Sequence, residues 1–339
     1  MRIGIVNDLL LAREALRRAV VSVPGYTVAW VAEDGAAAVR QARIDRPDAI
    51  LMDLVMPGMD GVEATRRIMA ENPCPILLVT ASITGNFPLV LQAMSHGGLD
   101  SVPVPTLHPD GRVDDAKELL SRLARLDRAG SAWNYGAPKK SPAPVGESAS
   151  PLLVLGASTG GPDALGRVLA ALPVGFPWPV VVIQHISAEF APNLVLWLQS
   201  RCPFPVEIAR EGAAPAAGRV SVAMTDDHLV LRAGGRFAYT TEPAHYPFRP
   251  SVDEFFLSLP AHCPRPGVAV LLTGMRNDGA RGLLALRQAG WLTLAQDPAS
   301  CIAYGMPKAA ADLNAADRIL PLEQIAGAIL ERVGGGKNV

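Results

Sequence analysis

Three things are scarce in this sequence, and each scarcity closes off a class of function. Charge imbalance is nearly absent: 31 lysines and arginines face 32 aspartates and glutamates, for a formal net charge of −1. Such a chain makes no field that would draw it onto nucleic acid or an anionic membrane surface. No apolar run approaches the roughly 20 residues that span a bilayer. The opening MRIGIVNDLLLAREALRRAV lacks the basic, apolar, small-residue order of a signal peptide. A cytoplasmic protein with no membrane insertion and no nucleic-acid partner is expected. Cysteine is the third scarcity. Cys74, Cys202, Cys263 and Cys301 lie scattered without C-x-x-C spacing, and three of them precede proline. They read as reduced structural thiols rather than metal ligands.

What the chain has instead is alternation. At 339 residues it is long for one core, so two domains are expected. In the first part the apolar runs RIGIV, TVAWVA, DAILMD, PILLVT and DSVPV alternate with helix-period stretches such as AREALRRAV and VEATRRIMAE. This predicts five parallel strands wrapped by helices. The helix-like DDAKELLSRLARL closes a first domain placed at 1–125. AGSAWNYGAPKKSPAPVGESAS then turns to proline, glycine, serine and alanine, the composition of a linker, placed at 126–150. Alternation resumes over a second domain at 151–333, with strands expected at PLLVLG, PVVVIQ, PVEIA, RVSVA, GVAVLLTG and WLTLAQ and a hairpin at HLVLRAGGRFAYTT. The expected class is α/β throughout.

Ligands of open parallel sheets bind beyond the carboxyl ends of the strands. In the first domain those ends carry Asn7, Asp8, Asp53 and Thr80. Two carboxylates there are the minimum for holding a divalent cation and accepting a phosphoryl group; two solvated loop aspartates are the plainer alternative. The ordered set IVND, LMDLVMPGMDG and LLVTA resembles the receiver domain of two-component response regulators over about 105 residues. That resemblance implies a flavodoxin-like (βα)5 fold, Asp53 as phospho-acceptor, Asp8 and Asp53 as holders of Mg²⁺, Thr80 as a contact to the phosphoryl group, and a CheA-like histidine kinase as donor. Three positions depart from it. Asn7 stands where receivers usually carry a second acid, keeping an oxygen ligand but weakening Mg²⁺ binding. Val104 replaces the usual lysine, and Ser101 the usual switch aromatic.

In the second domain, GASTGG at 156–161 fits both a serine nucleophile elbow and a phosphate cradle. A dinucleotide site needs G-x-G-x-x-G and an acid closing the second strand, and a Walker loop needs G-K-[ST]; neither pattern is met. A serine hydrolase needs a base and a group to orient it. His185 ends the next strand and Asp278 follows GVAVLL, so Ser158, His185 and Asp278 all emerge on the carboxyl side of one sheet. Singly, Ser158 could cap the following helix, His185 could be a half-buried core histidine and Asp278 a turn residue. Their joint placement favours catalysis, and the glycines then read as room for an incoming protein helix.

Together GASTGG, VIQHIS, FRPSVDEFF, LLTGMRNDGARGL and AQDPASCIAYGMPKAA resemble the catalytic domain of the chemotaxis protein-glutamate methylesterases, the CheB family, across most of 151–333. IVNDL and PCPILLVT look closest to its WspF branch, from Wsp-type surface-sensing systems. The resemblance implies a doubly wound, mainly parallel α/β methylesterase domain. It also implies hydrolysis of glutamate γ-methyl esters on the methylated cytoplasmic helices of chemoreceptor-type proteins, with deamidation of glutamine as a related reaction and no cofactor for the ester chemistry. Ser158 would be nucleophile, His185 base and Asp278 its orienting partner, with the main-chain N–H groups of Thr159 and Met275 as candidate oxyanion donors. His228 reads as a turn residue near the cleft or in solvent, Arg249 as a cleft or helix-capping residue, and Met306 to Lys308 as cleft wall. A non-enzymatic adaptor that binds a receptor or kinase stays open as the second reading.

Overall fold

The computed structural model describes residues 1–81, 86–130, 150–188, 190–224, 226–244, 246 and 249–335. Of the expected linker 126–150, residues 126–130 instead continue the last helix of the first unit, and 131–149 lie outside the described residues. The chain divides into two compact units, Met1–Asn134 and Tyr135–Val339.

The first unit runs β1 (Arg2–Val6), α1 (Leu10–Val21), β2 (Thr27–Ala32), α2 (Gly35–Ile44), β3 (Ala49–Asp53), α3 (Gly61–Glu71), β4 (Ile76–Thr80), α4 (Phe87–Ser95) and β5 (Asp100–Pro103). A short antiparallel pair, β6 (Thr106–Leu107) and β7 (Val113–Asp114), precedes α5 (Ala116–Gly130). The five main strands are parallel in the order β2-β1-β3-β4-β5. β3 (AILMD) and β4 (ILLVT) are buried at every residue, as strands covered on both faces must be. Asp34 and Asp60 cap α2 and α3, each accepting a main-chain N–H of the first turn. Ile3, Ile5, Leu16, Leu51, Val79, Leu119 and Leu123 form one core, and Val104 packs against it. The expected flavodoxin-like order is therefore the observed one. Its direction reverses between β1 and β3, where a crevice opens.

The second unit runs β8 (Leu153–Ala157), α6 (Gly161–Ala170), β9 (Val180–Gln184), α7 (Ala191–Gln199), β10 (Val206–Ile208), β11 (Val220–Val222), β12 (His228–Arg232), β13 (Arg236–Thr240), α8 (Val252–His262), β14 (Val268–Leu271), α9 (Ala280–Gln288), β15 (Leu292–Gln296), α10 (Met306–Asp312), β16 (Arg318–Leu320) and α11 (Leu322–Gly335). Seven strands form a parallel sheet, β10-β11-β9-β8-β14-β15-β16. β12 and β13 make the expected hairpin as a separate two-stranded sheet, turning on Gly234 and Gly235, both at positive φ. The hairpin is tied to α8 by the Leu231 N–H, which donates to Ser258 Oγ at 2.9 Å. Val154, Val181, Ile183, Phe255, Phe256, Leu271 and Leu283 lie in the core. In this sheet the order reverses between β8 and β14. Two elements were not expected: β16, three residues on the sheet edge, and α10, whose MPKAAAD carries no apolar stripe to signal a helix.

Candidate active site

Ser158 and His185 are the first residues beyond Ala157 and Gln184, the paired ends of neighbouring strands β8 and β9. The turn around Ser158 is clamped through its main chain. Its N–H donates to the Thr273 carbonyl at 3.0 Å, and its carbonyl accepts from Gln184 Nε2 at 2.9 Å and from the Gly161 N–H at 2.7 Å. The hydroxyl takes no part in these bonds. Ser158 is not the helix cap that one reading allowed: α6 is entered through Gly160, with φ 77° and no side-chain cap. A Cβ at Gly160 would lie 2.7 Å from Ile302 Cβ, and one at Gly274 would lie 2.1 Å from Met306 Sδ and 2.9 Å from Ser158 Cβ. The space these glycines leave is filled by the protein's own side chains, which corrects the expectation of room for an incoming helix.

Asp278 follows β14, which flanks β8 on its other side. It is fully buried, and its Oδ2 sits 2.6 Å from His185 Nε2. Its other partners come from the start of α8. Ser251 Oγ donates to Oδ1 at 2.8 Å, the Asp253 N–H to Oδ1 at 3.0 Å, and the Val252 N–H to Oδ2 at 2.7 Å. A helix N-terminus offers unpaired N–H groups and a positive dipole end, which is what a buried carboxylate needs. Burial alone pushes this carboxyl up, but the His185 ring and the N–H groups of Asp253 and Val252 hold it below the ordinary carboxylate range. Asp278 is thus kept ionised. With Nε2–H donated to Asp278, neutral His185 carries its acceptor lone pair on Nδ1. Sequence reasoning did not find Ser251. Its S-x-x-E spacing with Glu254 signals a helix start, but nothing in the spacing says that this start faces Asp278.

Asp253, one turn-position further, shows the reverse case. It is buried, accepts from the Gly282 N–H at 2.7 Å and from the Tyr246 hydroxyl at 2.9 Å. Burial, then the nearby charge of Asp278, push its carboxyl up to about 7. Among the described residues, the hydrogen bonds that fix the loops around Ser158 use the N–H groups of Ser158 and Gly274 and leave those of Thr159 and Met275 unused.

In the first unit Asp53 closes β3 beside Asp8, at the reversal between β1 and β3. Asp53 Oδ1 accepts from the Leu54 and Val55 N–H groups at 2.6 and 3.3 Å, and Oδ2 from Asn7 Nδ2 at 2.8 Å. Asn7 Oδ1 accepts from the Leu9 N–H at 2.8 Å. Asn7 therefore serves as a donor to Asp53, a correction to its expected role as an oxygen ligand. Burial, opposed by the two main-chain donors and assisted by the charge of Asp8, pushes the Asp53 carboxyl up to about 6. A buried carboxylate raised in part by a second one in a strand-end crevice fits a divalent cation, which would relieve the repulsion. Thr80 is buried, and its hydroxyl accepts from Asn86 Nδ2 at 2.8 Å.

Of the secondary residues, His228 is fully buried rather than solvated. Arg249 donates to the Ala244 carbonyl at 2.6 Å and does not cap α8, whose cap is Ser251. Met306 packs against Gly274 beside Ser158. All four cysteines are free thiols, and burial pushes Cys74 and Cys301 up to about 12, so neither is a ready nucleophile.

A sequence model of the CheB methylesterase family matches residues 153–329, and one of the response regulator receiver domain matches residues 3–106. A "protein-glutamate methylesterase/protein-glutamine glutaminase 2" of Cupriavidus metallidurans is 48% identical over 339 residues, covering 100% of both chains. A "protein-glutamate methylesterase/protein-glutamine glutaminase" of Mesorhizobium japonicum is 49% identical over 337 residues, 98% of each chain. The crystal structure of the Thermotoga maritima CheB methylesterase catalytic domain matches with TM-score 0.52 and 32% identity, covering 54% of this chain and 99% of that one. Among the described residues no helix is long and apolar enough to cross a membrane. A receiver and an esterase unit follow one another here as they do in relatives alike from end to end, and the protein belongs to the CheB methylesterase family.

Proposed function

We propose that this chain is a cytoplasmic protein-glutamate methylesterase that acts on the methylated cytoplasmic helices of chemoreceptor-type proteins. Ser158 Oγ attacks the γ-carbonyl of a glutamate methyl ester while His185 Nδ1 takes its proton. The tetrahedral oxyanion is met by the main-chain N–H groups of Thr159 and Met275. Collapse expels methanol, which receives the proton from His185. A water molecule, deprotonated by the same ring, then frees the glutamate and restores Ser158. Asp278 holds the imidazole in the tautomer whose acceptor lone pair is on Nδ1. Amide and ester pass through similar intermediates, so the same groups serve deamidation of glutamine. The observation that carries this reading is the His185–Asp278 bond, with Asp278 held ionised by the first turn of α8. It also weighs against the adaptor reading, since a purely binding domain has no use for a buried imidazole–carboxylate pair beside a clamped serine.

In the receiver unit, Asp53 is the phospho-acceptor, Thr80 the phosphoryl contact and a CheA-like histidine kinase the donor. Asp8 and Asp53 would hold Mg²⁺, which when bound neutralises charge on the transferring phosphoryl group. Asn7 supplies a hydrogen bond where relatives of this fold supply charge, and Val104 is committed to the core. IVNDL and PCPILLVT support a reading within the WspF branch, with the stretch between α5 and residue 150 as linker between receiver and esterase.

The direct test is methanol release from a receptor fragment carrying glutamate γ-methyl esters. Ser158→Ala is expected to lower it by at least about a thousandfold while fragment binding persists. Release at the wild-type rate by the variant would sink the nucleophile assignment.

A further inference from the structure

The pair His185–Asp278 depends on the first turn of α8, and one residue outside that turn holds it. The Ser251 N–H precedes the helix and has no partner within it. In a reciprocal capping box the Glu254 carboxylate would accept it. Here only half of the box is present: Ser251 Oγ accepts from the Glu254 N–H at 3.2 Å, while the Ser251 N–H donates to His228 Nδ1 at 3.2 Å. His228 opens β12 and is fully buried. Its Nε2 faces the Pro243 carbonyl at 3.4 Å.

These two partners allow one form of the ring. An amide N–H can only donate and a carbonyl can only accept, so His228 is neutral with its proton on Nε2. Protonation would set Nδ1–H against the Ser251 N–H. Burial, foremost, and then Arg249 hold the ring below the usual histidine range, against the Pro243 carbonyl and the charges of Asp278 and Asp227. The Tyr246 ring stands edge-on at 5.8 Å, and its hydroxyl reaches Asp253, two residues past Ser251.

We propose that His228 is a positioning residue for the esterase site: by accepting the Ser251 N–H it fixes the turn whose three donors orient Asp278, and through Asp278 the ring of His185. This rests on the esterase reading above. The His228 ring has Ser251, Pro243 and Tyr246 as its partners, and not Ser158. Its effect falls on the angle and tautomer of the base, where small displacements far from the reacting atoms cost rate.

Two substitutions of similar polarity separate the hydrogen bond from mere filling of space. Asn places its oxygen where Nδ1 lies; Gln places its amide where Nε2 lies and leaves the Ser251 N–H without an acceptor. In the full chain, His228→Gln is expected to lower kcat for methanol release by about 10- to 100-fold with KM within about twofold, and His228→Asn to stay within about threefold of wild type. Proton NMR of the same proteins gives a second readout, the low-field resonance of the His185–Asp278 hydrogen bond. It should persist in wild type and His228→Asn and shift or vanish in His228→Gln. Wild-type kcat and resonance in His228→Gln would overturn the proposal, as would equal impairment of both variants. If wild type itself releases no methanol, the esterase reading fails, and the resonance still decides whether His228 positions the pair.

Discussion

Asp53 and Asp278 occupy equivalent places in two unrelated sheets. Each sits beyond a strand end at the point where strand order reverses, each is buried, and each accepts main-chain N–H groups. Yet one carboxyl is pushed up to about 6 and the other held below the ordinary range. Burial pushes both acids up; it prevails at Asp53 and is overcome by the neighbours at Asp278. Asp53 has a second carboxylate beside it and an amide where a cation could be. Asp278 has an imidazole on one oxygen and a helix N-terminus on both. The first arrangement leaves an acid waiting for a positive charge, and the second finishes the job within the chain.

The same substitution at both sites breaks the comparison most directly. Asp278→Asn removes the acceptor that fixes His185. If the new amide NH₂ faces the ring, Nε2 must accept, the ring proton moves to Nδ1, and the base toward Ser158 is lost. If it faces the other way, it meets the Asp253 N–H. Methanol release should fall by about 10⁴-fold, and stability by about 3 kcal/mol because main-chain donors are left facing a donor. Chemical denaturation checks the second figure. A variant with near-wild-type release would show that Asp278 does not orient the base.

Much of this comparison could be read from the chain, and the remainder could not for a definite reason. Strand-end residues are legible because a buried parallel strand is a continuous apolar run, and its end is where the run stops. That located Asp8, Asp53, Thr80, Ser158, His185 and Asp278 without coordinates. The α/β class followed from the same alternation, and the flavodoxin-like fold from the resemblance to receiver domains. What escaped were contacts made across the fold by side chains with ordinary local roles. Ser251 announces a helix start, Asn86 begins another helix, and His228 follows two aspartates in what looks like a surface turn. Asn7 was assigned by its type, as an oxygen ligand, and only its partners reveal it as a donor. GASTGG misled in one respect, since glycine spacing shows where side chains are forbidden and not what fills the space.

Titration sharpens the difference. Asp53 has its folded pKa raised from 3.8 to about 6, so its burden on stability is absent below about 3.8, grows between these values and is complete above about 6. Asp278, with its folded pKa depressed, contributes stability that is constant above the unfolded value and lost only as pH falls through the folded one. Between pH 5 and pH 8 the stability difference between wild type and Asp53→Asn should therefore tilt by about 1 kcal/mol in favour of the variant at the higher pH, allowing for solvent screening. The titration of Asp278 itself adds no tilt over that window; any tilt seen with Asp278→Asn comes from Asp253, whose raised carboxyl loses the neighbouring charge of Asp278. Denaturant titrations at the two pH values measure both. Saturating Mg²⁺ should remove the tilt at Asp53 in wild type, because a bound cation keeps Asp53 ionised, and a tilt there that survives saturating Mg²⁺ would contradict the contrast drawn here. Labelling by acetyl phosphate, expected in wild type and absent in Asp53→Asn, should weaken as pH falls through about 6.

The smallest change tests whether Asn7 is what separates the two pockets. Asn7→Asp exchanges the amide that donates to Asp53 Oδ2 at 2.8 Å for a third carboxylate. Without a cation the repulsion on Asp53 grows and the hydrogen bond is lost, so the variant should be less stable than wild type at pH 8 and closer to it at pH 5. With Mg²⁺ the sign reverses. One more unit charge about 4 Å from a divalent ion in a solvent-accessible crevice is worth about 2 kcal/mol, about thirtyfold in affinity. Calorimetric titration with Mg²⁺ gives that ratio, and thermal melts with and without the ion give the accompanying change in stability. Unchanged Mg²⁺ affinity would mean that Asn7 lies outside the ion's reach, and that the raised Asp53 carboxyl reflects burial and Asp8 alone.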